Sequence, residues 1–305
     1  MSKKVRSVVF GGSGFLGSHI ADSLSEAGHE VIIFDLVESP YIRSDQKMVI
    51  GTMEDTDALL KVTSGVDYVF HFAGVADIGY ARQNPKDTYF HNVMGTLNLL
   101  EASKQNQIQR FLFASTIYVY SELGSFYRSS KQSCEMLIEN YNEEHNLPFT
   151  ILRYGSLYGP RANEFNFINN SIYEALTKKA IKRKGTGNET RDYIHVLDAA
   201  NASVKTLNDS YKNSYVMVKG TQSMQVSEIL QTLNEILGGE ISVSYSDKDH
   251  YDAHYSLTPY SFKPRSAKHI QLDSYFDIGQ GLLETIYDIY QEIDKEKLKI
   301  TLNKK

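Results

Sequence analysis

A tyrosine and a lysine four residues apart, Tyr127 and Lys131, are the side chains in this sequence best suited to proton transfer. The surrounding residues have a helical pattern, so both side chains are expected on one helix face. A lysine ammonium stabilises a nearby phenolate, and we expect it to lower the tyrosine pKa from its ordinary value of about 10. Such a phenol can take the proton of a substrate hydroxyl while hydride leaves the same carbon. By itself, the spacing also fits an ordinary surface pair on a helix.

Hydroxyl side chains at the end of the preceding predicted strand complete a candidate catalytic group. This strand, residues 110–115, ends in Ser115 and is followed by Thr116. The carboxyl ends of parallel strands face the crevice where ligands bind. We therefore expect Thr116 to hydrogen-bond a substrate hydroxyl and turn it toward Tyr127, with Ser115 as the alternative if the register differs by one residue.

Three glycines at a regular spacing, Gly11, Gly14 and Gly17, follow the first predicted strand (residues 5–10) and open the first predicted helix (residues 15–27). Glycine permits a tight turn and lets the backbone approach a pyrophosphate, which then lies at the helix N-terminus. A glycine triplet without this context is also typical of a flexible turn. Its position between a strand and a helix favours a dinucleotide site.

An acidic residue, Asp35, ends the next predicted strand (residues 31–35), 18 positions after Gly17. A carboxylate there can accept hydrogen bonds from the adenosine ribose and repels the 2′-phosphate of NADP. No arginine stands next to Asp35 or within the glycine turn. The sequence therefore predicts NAD as the cofactor; the alternative for Asp35 is a solvated carboxylate at a strand end.

The elements that would position these side chains alternate between strand and helix. Short strands that are apolar along their whole length are typical of a parallel sheet covered by helices on both faces. In the first half, the predicted strands are residues 5–10, 31–35, 67–72, 110–115 and 150–154, and the predicted helices are residues 15–27, 56–62, 88–105 and 126–144. This order predicts an α/β fold with a Rossmann-type doubly wound parallel sheet.

The second half has a looser pattern, which predicts a smaller, discontinuous C-terminal α/β substrate domain. Its predicted helices are residues 165–179, 226–237 and 281–293, its predicted strands are residues 193–196, 215–218 and 241–245, and residues 182–185 are predicted as a basic loop. We expect an NAD-binding domain from residues 1–156 and 186–220, and a substrate-binding domain from residues 157–185 and 221–280. Residues 281–305 would form a C-terminal helix and a charged tail that frays.

Composition places the chain among ordinary globular proteins. Of its 305 residues, 41% are hydrophobic and 23% charged, and the formal net charge is −5, which argues against nucleic acid or an anionic membrane as a partner. The single cysteine, Cys134, cannot form an intrachain disulfide, and no apolar window approaches the length of a membrane span, so we expect a cytoplasmic protein. His250 and His254 have no third ligand nearby, and we expect no metal.

Taken together, the motifs resemble those of the extended short-chain dehydrogenase/reductases, specifically the NAD-dependent epimerase/dehydratase group. The resemblance covers nearly the whole chain. It is carried by GGSGFLGS from Gly11, Asp35, DYVFHFAG from Asp67, HNVMGT from His91, Ser115 with Thr116, Tyr127 with Lys131, LRY from Leu152, YGPR from Tyr158 and RDYIHV from Arg191.

The resemblance implies a role for each matching residue. Tyr127 would be the acid/base, Lys131 would bind the nicotinamide ribose, and Thr116 would position the reacting hydroxyl. Arg191 would contact a substrate phosphate with its forked donors, and Ser156, which replaces the asparagine often found before Y-G-P, would also face substrate. The remaining residues implied to lie at the cofactor are Gly11, Gly14, Phe15, Leu16, Gly17, Asp35, Thr52, Met53, Phe72, Ala73, Gly74, Asn92 and Tyr154.

Departures from the family pattern narrow the expected activity. Ile117 and Tyr118 follow Thr116 where the family's 4,6-dehydratases carry Asp-Glu, so an acid and a base for dehydration are missing. Thr52 and Met53 stand where the family often has Asp-Ile near adenine. The family implies an enzyme that oxidises a sugar carbon, C4 in our reading, of a nucleoside-diphosphate sugar.

Three outcomes remain open for this site. A 4-epimerase returns the hydride to the other face of the sugar and is favoured as the commoner activity. A 4-dehydrogenase releases the 4-keto sugar and NADH. A non-catalytic NAD-binding regulator keeps only the fold, an alternative that the presence of Tyr127 and Lys131 disfavours. By resemblance, helices 88–105 and 126–144 would form the four-helix interface of a homodimer.

Overall fold

The computed structural model describes residues 4–121, 123–246 and 268–302. Its strands are β1 (Arg6–Phe10), β2 (Glu30–Asp35), β3 (Gln46–Ile50), β4 (Tyr68–His71), β5 (Arg110–Thr116), β6 (Phe149–Tyr154), β7 (Ser156–Tyr158), β8 (Ala180–Lys184), β9 (Thr190–His195), β10 (Ser214–Val218), β11 (Ser223–Gln225), β12 (Ser242–Ser246) and β13 (Lys268–His269). Its α-helices are α1 (Phe15–Glu26), α2 (Thr56–Thr63), α3 (Ile78–Gln83), α4 (Pro85–Tyr89), α5 (Gly95–Gln105), α6 (Ser125–His145), α7 (Phe167–Lys178), α8 (Val196–Lys205), α9 (Val226–Ile236) and α10 (Ile278–Leu302).

The main sheet is parallel throughout and has the order β3-β2-β1-β4-β5-β6-β10-β13. From β1 the chain first builds outward to β3 and then returns to build from β4 in the other direction. At such a switch point the loops after the two central strands diverge and open a crevice at their carboxyl ends. The predicted α/β, doubly wound parallel sheet is confirmed, and the loops after β1 and β4 frame its crevice.

Helices cover both faces of this sheet because its strands are apolar on both sides. Successive strand residues point to opposite faces, so Val8 and Phe10 pack in one buried cluster and Val9 in the other. The first cluster includes side chains of α2, α5 and α6, and the second includes side chains of α1 and α8. Burial of each large apolar side chain stabilises the fold by about 1.5–3 kcal/mol. The two layers hold the loops that carry the site.

A third buried cluster lies among α7, α9 and α10. Ile172, Leu230 and Leu282, one from each helix, are at most 1% exposed within it. A three-stranded sheet in the order β11-β9-β7 and a parallel pair, β8 with β12, accompany these helices. This part of the molecule carries Arg191 on β9.

Several elements differ from the sequence-based predictions. The predicted basic loop at residues 182–185 is wrong, because most of it belongs to β8, where Ile181 is buried while Lys182 and Lys184 are exposed. A π-helical turn, Phe90–Met94, interrupts the predicted helix 88–105. The last helix, α10, extends to Leu302, where a frayed tail is predicted.

No helix within the described residues combines the length and the apolar character needed to cross a membrane. His250 and His254 lie outside the described residues. Within residues 4–121, 123–246 and 268–302, no three His, Cys, Asp or Glu side chains are arranged to hold a metal ion.

Candidate active site

The turn after β1 has a backbone that requires glycine. Gly11 has a φ of +78°, and a Cβ atom there would lie 2.6 Å from the backbone nitrogen of Ala73. A Cβ atom on Gly17 would lie 2.1 Å from the carbonyl oxygen of Gly11. The turn therefore packs directly against the loop after β4 and against the first turn of α1.

The N-terminus of α1 is left open by the side chains around it. Gly14 caps this helix without a side-chain hydrogen bond, and the first turn contains no acidic residue. A Cβ atom on Gly14 would meet only the Gly11 carbonyl oxygen, at 3.3 Å. The first N–H groups of a helix have no partner within the helix and attract anions. This helix end fits a pyrophosphate.

A cavity of about 360 Å³ lies beside the glycine turn, at the carboxyl ends of β2 and β4. It is lined by Gly11, Gly14, Phe34, Asp35, Leu36, Gly51, Thr52, Met53, Glu54, Phe72, Ala73, Gly74, Val75 and His91. The Asp35 carboxylate accepts hydrogen bonds from the backbone N–H groups of Ser13, at 2.9 Å, and Leu36, at 2.7 Å. The fixed Asp35 carboxylate, in a cavity that also contains Glu54 and His91, fits an adenosine with a free 2′-hydroxyl.

A second cavity, of about 440 Å³, continues from the glycine turn toward α6. It is lined by Gly11, Gly14, Phe15, Leu16, Gly17, Phe72, Gly74, Ala76, Asp77, Ala114, Ser115, Thr116, Tyr127, Lys131, Tyr154, Gly155, Leu157, Asn163, Phe165 and Asn166. Gly11, Gly14, Phe72 and Gly74 border both cavities. The two spaces together form one groove that passes over the glycine turn, as a dinucleotide requires.

Tyr127 on α6 and Thr116 at the end of β5 both line the second cavity, and the Thr116 hydroxyl lies close enough to act on the phenol. Burial raises the pKa of Tyr127 to about 12, because the phenolate would be poorly solvated. The Thr116 hydroxyl acts in the opposite direction and is the smaller effect. Tyr127 is therefore a neutral phenol in the free protein at neutral pH.

Lys131 lies one helical turn after Tyr127 and is 6% exposed. Its Nζ atom donates to the carbonyl oxygen of Ala114 at 2.8 Å and lies 6.0 Å from the centroid of the Tyr127 ring. Burial lowers the pKa of Lys131, while Cys134 and Glu135 raise it. The prediction that Lys131 lowers the Tyr127 pKa below its ordinary value is wrong for the free protein, because burial of the phenol is the dominant effect.

Ser115 and Thr116, alternatives at the sequence level, have different partners. Ser115 Oγ donates to Oε1 of the buried Glu135 at 2.5 Å. Thr116 Oγ1 accepts from the backbone N–H of Tyr118 at 3.2 Å and lies close to the Tyr127 phenol. Both residues border the cavity, but Thr116 is the one whose hydroxyl meets the phenol.

Asn92 lies behind the groove and does not line it. It sits in the π-helical turn Phe90–Met94 and is 2% exposed. Its Oδ1 atom accepts from the N–H of Val75 at 2.7 Å, and its Nδ2 atom donates to the Val75 carbonyl at 3.0 Å and to Ser130 Oγ at 2.9 Å. Asn92 therefore ties the loop after β4 to α6, in keeping with the supporting role that the resemblance implies.

Ser156 and Arg191, predicted to contact substrate, line neither cavity. Gly155 and Leu157, on either side of Ser156, do line the second one, and successive residues of an extended chain face opposite sides. Arg191 is 6% exposed, and its Cζ atom lies 5.5 Å from the centroid of the Phe167 ring. Phe167 begins α7 directly after Asn166, which lines the cavity, so Arg191 stands one layer behind it.

Arg191 belongs to a buried polar group that we call the Arg191 cluster, made of Phe167, Glu189, Arg191 and Tyr193. Nε and Nη2 of Arg191, both carboxylate oxygens of Glu189 and the Tyr193 hydroxyl have no hydrogen-bond partner in the described part of the chain. Glu189 is 2% exposed, and its Oε1 atom lies 3.7 Å from Nη2 of Arg183. Buried polar groups without hydrogen bonds are costly, so this cluster fits a place that a polar ligand completes.

The second cavity also contains residues that the sequence analysis does not single out. Ala76 and Asp77 follow the loop after β4, and Asn163, Phe165 and Asn166 follow the Y-G-P-R motif. Phe165 is 70% exposed at this edge. Asn166 caps α7 with its side chain, a pattern visible in the sequence as an asparagine before a helical run. Asn163 and Phe165 lie in a loop and have no such signal.

Two residues near the site are packing residues. His71 is 1% exposed; its Nε2 atom lies 2.8 Å from Thr96 Oγ1, and burial lowers its pKa to about 3. Cys134 is buried, and burial raises the pKa of its thiol. Neither lines the groove.

A model of the NAD-dependent epimerase/dehydratase family matches residues 7–217, well over half of the chain. The matched range includes the residues of the glycine turn, Asp35 and the candidate catalytic residues: Gly11, Gly14, Gly17, Asp35, Thr116, Tyr127 and Lys131. The chain belongs to this family. The resemblance stated from the motifs is thus confirmed, and with it NAD as the cofactor and the assignment of an enzyme.

Individual members of the family resemble this chain along most of its length. A putative UDP-glucose 4-epimerase from Methanocaldococcus jannaschii is 31% identical over 252 residues, which cover 76% of this chain and 82% of that protein. The structure of a UDP-N-acetylglucosamine 4-epimerase from Methanobrevibacter ruminantium M1, in complex with UDP-N-acetylmuramic acid, is 27% identical with a TM-score of 0.81, covering 96% of this chain and 100% of that chain. A UDP-glucose 4-epimerase from Thermotoga maritima shares the fold, with a TM-score of 0.83 at 24% identity over 95% of this chain and 100% of that chain.

Proposed function

We propose that this family member is a UDP-sugar 4-epimerase. It would invert the configuration at C4 of the sugar by oxidising that carbon and reducing it again from the opposite face. The observation that carries the proposal is the grouping of Tyr127, Thr116 and Lys131 in the half of the groove that lies beyond the glycine turn.

Tyr127 is the group placed to take the proton of the C4 hydroxyl and to return it. Thr116 lies beside this phenol and is placed to orient the sugar hydroxyl toward it. When bound, NAD supplies the hydride acceptor and a positive charge in this cavity. Because burial holds Tyr127 in its neutral form, the phenolate requires nearby positive charge, and Lys131 is the cation that the chain itself provides.

The residues after Thr116 support epimerisation over dehydration. Ile117 begins a short 3-10 turn, Ile117–Tyr120, and both Ile117 and Val119 are buried. Residues 117–121 contain no carboxylate. Loss of water from a sugar requires a separate acid and base beside the oxidised carbon, and this turn provides neither.

The substrate class rests on two observations. The relatives with the two highest identities reported above carry UDP-sugar 4-epimerase names. The Arg191 cluster offers guanidinium donors next to α7 that have no partner in the part of the chain that the structure describes, and a planar fork of N–H groups is suited to a diphosphate.

The test is product analysis with a panel of nucleotide sugars. UDP-glucose, UDP-N-acetylglucosamine and UDP-glucuronic acid, together with GDP- and dTDP-sugars, are incubated with the protein, and products are identified by NMR while the absorbance of reduced nicotinamide is followed. We expect a C4 epimer of a UDP-sugar without net reduction of NAD. A 4-keto sugar formed together with an equal amount of reduced nicotinamide would instead indicate the dehydrogenase. NAD binding without turnover of any sugar would indicate the regulator.

We further propose a homodimer formed through residues 88–105 and 126–144. Phe90, Met94, Phe126 and Met136 are exposed apolar side chains on these segments, which supports a covered face. The domain division at residues 1–156 with 186–220, against 157–185 with 221–280, and a cytoplasmic location remain part of the proposal. Light scattering on Phe90→Glu, Met136→Glu and the unmodified protein tests the dimer: we expect a halved mass in the variants.

A further inference from the structure

Three consecutive residues at the end of β5 face three successive turns of α6. The pairs are Thr116 with Tyr127, the Ala114 carbonyl with Lys131, and Ser115 with Glu135. We call these six residues the α6–β5 seam. The three helix residues are spaced by four, which places them on one face of α6. Two of the three pairs contain the residues proposed for catalysis, and the third contains Glu135.

Glu135 carries the only carboxylate among the six residues of the seam, and this carboxylate accepts three hydrogen bonds. Ser115 Oγ and Arg153 Nε donate to its Oε1 atom at 2.5 and 3.0 Å, and Arg153 Nη2 donates to its Oε2 atom at 2.6 Å. The side chains of Glu135 and Arg153 are 6% and 3% exposed. The guanidinium of Arg153 also lies against the rings of Tyr120, at 4.7 Å, and Tyr215, at 4.3 Å.

This arrangement fixes α6 on the sheet. The donors to Glu135 come from β5 and β6, which are neighbours, with Ser115 directly opposite Arg153. A rotation or a slide of α6 would separate a buried ion pair, which is strongly unfavourable. Tyr127 lies two turns before Glu135 on the same rigid helix, so its position relative to Thr116 depends on that contact.

The same carboxylate also acts on Lys131 through its charge. The titratable or charged groups around this lysine are Tyr127, Cys134 and Glu135 on α6, His71 on β4, and Arg153 on β6 beyond Glu135. Burial lowers the pKa of Lys131, and Glu135 and Cys134 raise it. Of these two, Glu135 is the one held by an ion pair to the sheet, and its removal leaves Lys131 with less support for its positive charge.

We propose that Glu135 is a positioning residue for the reaction: bridged between β5 and β6, it holds Tyr127 and Lys131 against the end of β5. The proposal rests on the function proposed above, since it concerns the same phenol and lysine. It assigns to Glu135 no contact with substrate or cofactor.

The test removes the Glu135 carboxylate in two ways, once alone and once together with its buried partner Arg153. Glu135→Gln keeps an acceptor for Ser115 but removes the negative charge that faces Arg153, whereas Glu135→Leu with Arg153→Met replaces the pair by apolar side chains of similar size and avoids an uncompensated buried charge. We expect both to lower kcat on the order of ten- to a hundredfold, with the KM for the UDP-sugar little changed. We also expect the alkaline limb of the kcat profile to move to lower pH, because Lys131 loses its proton more readily.

Glu143→Gln is the matched control, because it removes an exposed carboxylate two turns further along the same helix. It is expected to keep the kcat and the pH profile of the unmodified protein. A double variant at positions 135 and 153 that has normal thermal stability, normal kcat and a normal pH profile would overturn the proposal.

A second readout does not depend on turnover. The pKa of Lys131, followed by NMR of the labelled side chain and assigned with Lys131→Met, is expected to fall in Glu135→Gln and to stay unchanged in Glu143→Gln. An unchanged Lys131 pKa in Glu135→Gln would refute the electrostatic role. If the unmodified protein converts no nucleotide sugar, the proposed function fails, and this NMR measurement still decides whether Glu135 supports Lys131.

Discussion

The α6–β5 seam and the Arg191 cluster both bury charged side chains, but their hydrogen bonding is opposite. In the seam, Glu135 accepts three hydrogen bonds, and Lys131 donates to a carbonyl of β5. In the cluster, the carboxylate of Glu189 accepts none, and two nitrogen atoms of Arg191 donate to nothing in the described part of the chain. Both glutamates are at most 4% exposed, so solvent does not account for the difference.

The two regions therefore differ in what completes their hydrogen bonds. The seam is completed by the protein alone, which prepares Tyr127 and Thr116 before any ligand arrives. The cluster carries donors and acceptors that have no partner among residues 4–121, 123–246 and 268–302, and we expect a bound substrate to engage them. Catalysis is therefore assigned to the pre-organised region, and substrate affinity to the region that a ligand completes.

The largest expected effect is the loss of kcat when the hydroxyl of Tyr127, in the seam, is removed. Tyr127→Phe removes only the hydroxyl and should lower kcat by about 10²–10⁴-fold, the usual contribution of a positioned acid/base group. The melting temperature should change little, since Thr116 keeps the backbone N–H of Tyr118 as a partner. Steady-state kinetics with the best UDP-sugar and thermal melts measure both effects. Retention of full turnover would remove Tyr127 from the mechanism.

The two buried glutamates offer the most direct comparison of stability. Glu135→Gln breaks a well-bonded buried ion pair and should lower the free energy of unfolding by about 3–5 kcal/mol. Glu189→Gln removes a carboxylate that has no hydrogen bond within the described residues and a single 3.7 Å contact with Arg183, so its cost should be smaller. Urea unfolding of the three proteins measures the difference. Equal losses in the two variants would contradict the contrast between the regions.

Substitution of Arg191 should weaken substrate binding without lowering the thermal stability of the ligand-free protein. Loss of charge-assisted hydrogen bonds to a diphosphate is worth about 1.5–3 kcal/mol, so Arg191→Met is expected to raise the KM for the UDP-sugar by about 10- to 100-fold. Its thermal stability without ligand should not fall, whereas the added stability given by UDP should disappear. Lys184→Met, which removes an exposed cation on β8, is the control and should behave as the unmodified protein. A lower stability of Arg191→Met without ligand would mean that the arginine is already paired.

The last expected effect is a pH dependence of stability. Burial lowers the pKa of His71, near the seam, to about 3 and that of His195, on β9, to about 4. Because these folded-state values lie below the unfolded value of 6.5, the stabilisation is complete above pH 6.5 and is lost as the pH falls toward 3–4. Each histidine contributes a slope of up to about 1.4 kcal/mol per pH unit in this window. Urea unfolding between pH 7 and 4 should show a shallower slope for His71→Gln; an identical slope would indicate that His71 is hydrated in the fold.

The first half of the fold was predictable because its strands are apolar on both sides and its helices follow turns with clear signals. β1, β2, β5 and β6 lie within a residue or two of their predicted positions. β3 lacks this signal, because Gln46 and Lys47 begin it and Ile50 is exposed. The basic run at 182–184 forms a strand because Ser242–Ser246 pairs with it, a partner distant in sequence. Such long-range pairing is not visible in a local pattern.

In the site, the residue types were predictable and their environments were not. The glycine turn, Asp35, Thr116, Tyr127 and Lys131 all lie on the groove. Ser115 and Thr116 are distinguished by the hydrogen bond that Ser115 donates to Glu135. The sequence does not predict this bond, because Glu135 is one of many carboxylates in it. The raised pKa of Tyr127 depends on burial, a tertiary property, and the spacing to Lys131 alone indicates the opposite direction.

The most direct measurement of the central claim follows the hydrogen at C4. A UDP-sugar accepted by the protein is prepared with deuterium at C4 and incubated until the two epimers reach equilibrium, and both are analysed by NMR and mass spectrometry. If Tyr127 moves only the hydroxyl proton while hydride leaves and returns within one closed site, the inverted sugar carries its deuterium at C4. Loss of the deuterium to water, or its recovery on free nicotinamide with a keto sugar in solution, would contradict the proposed epimerisation.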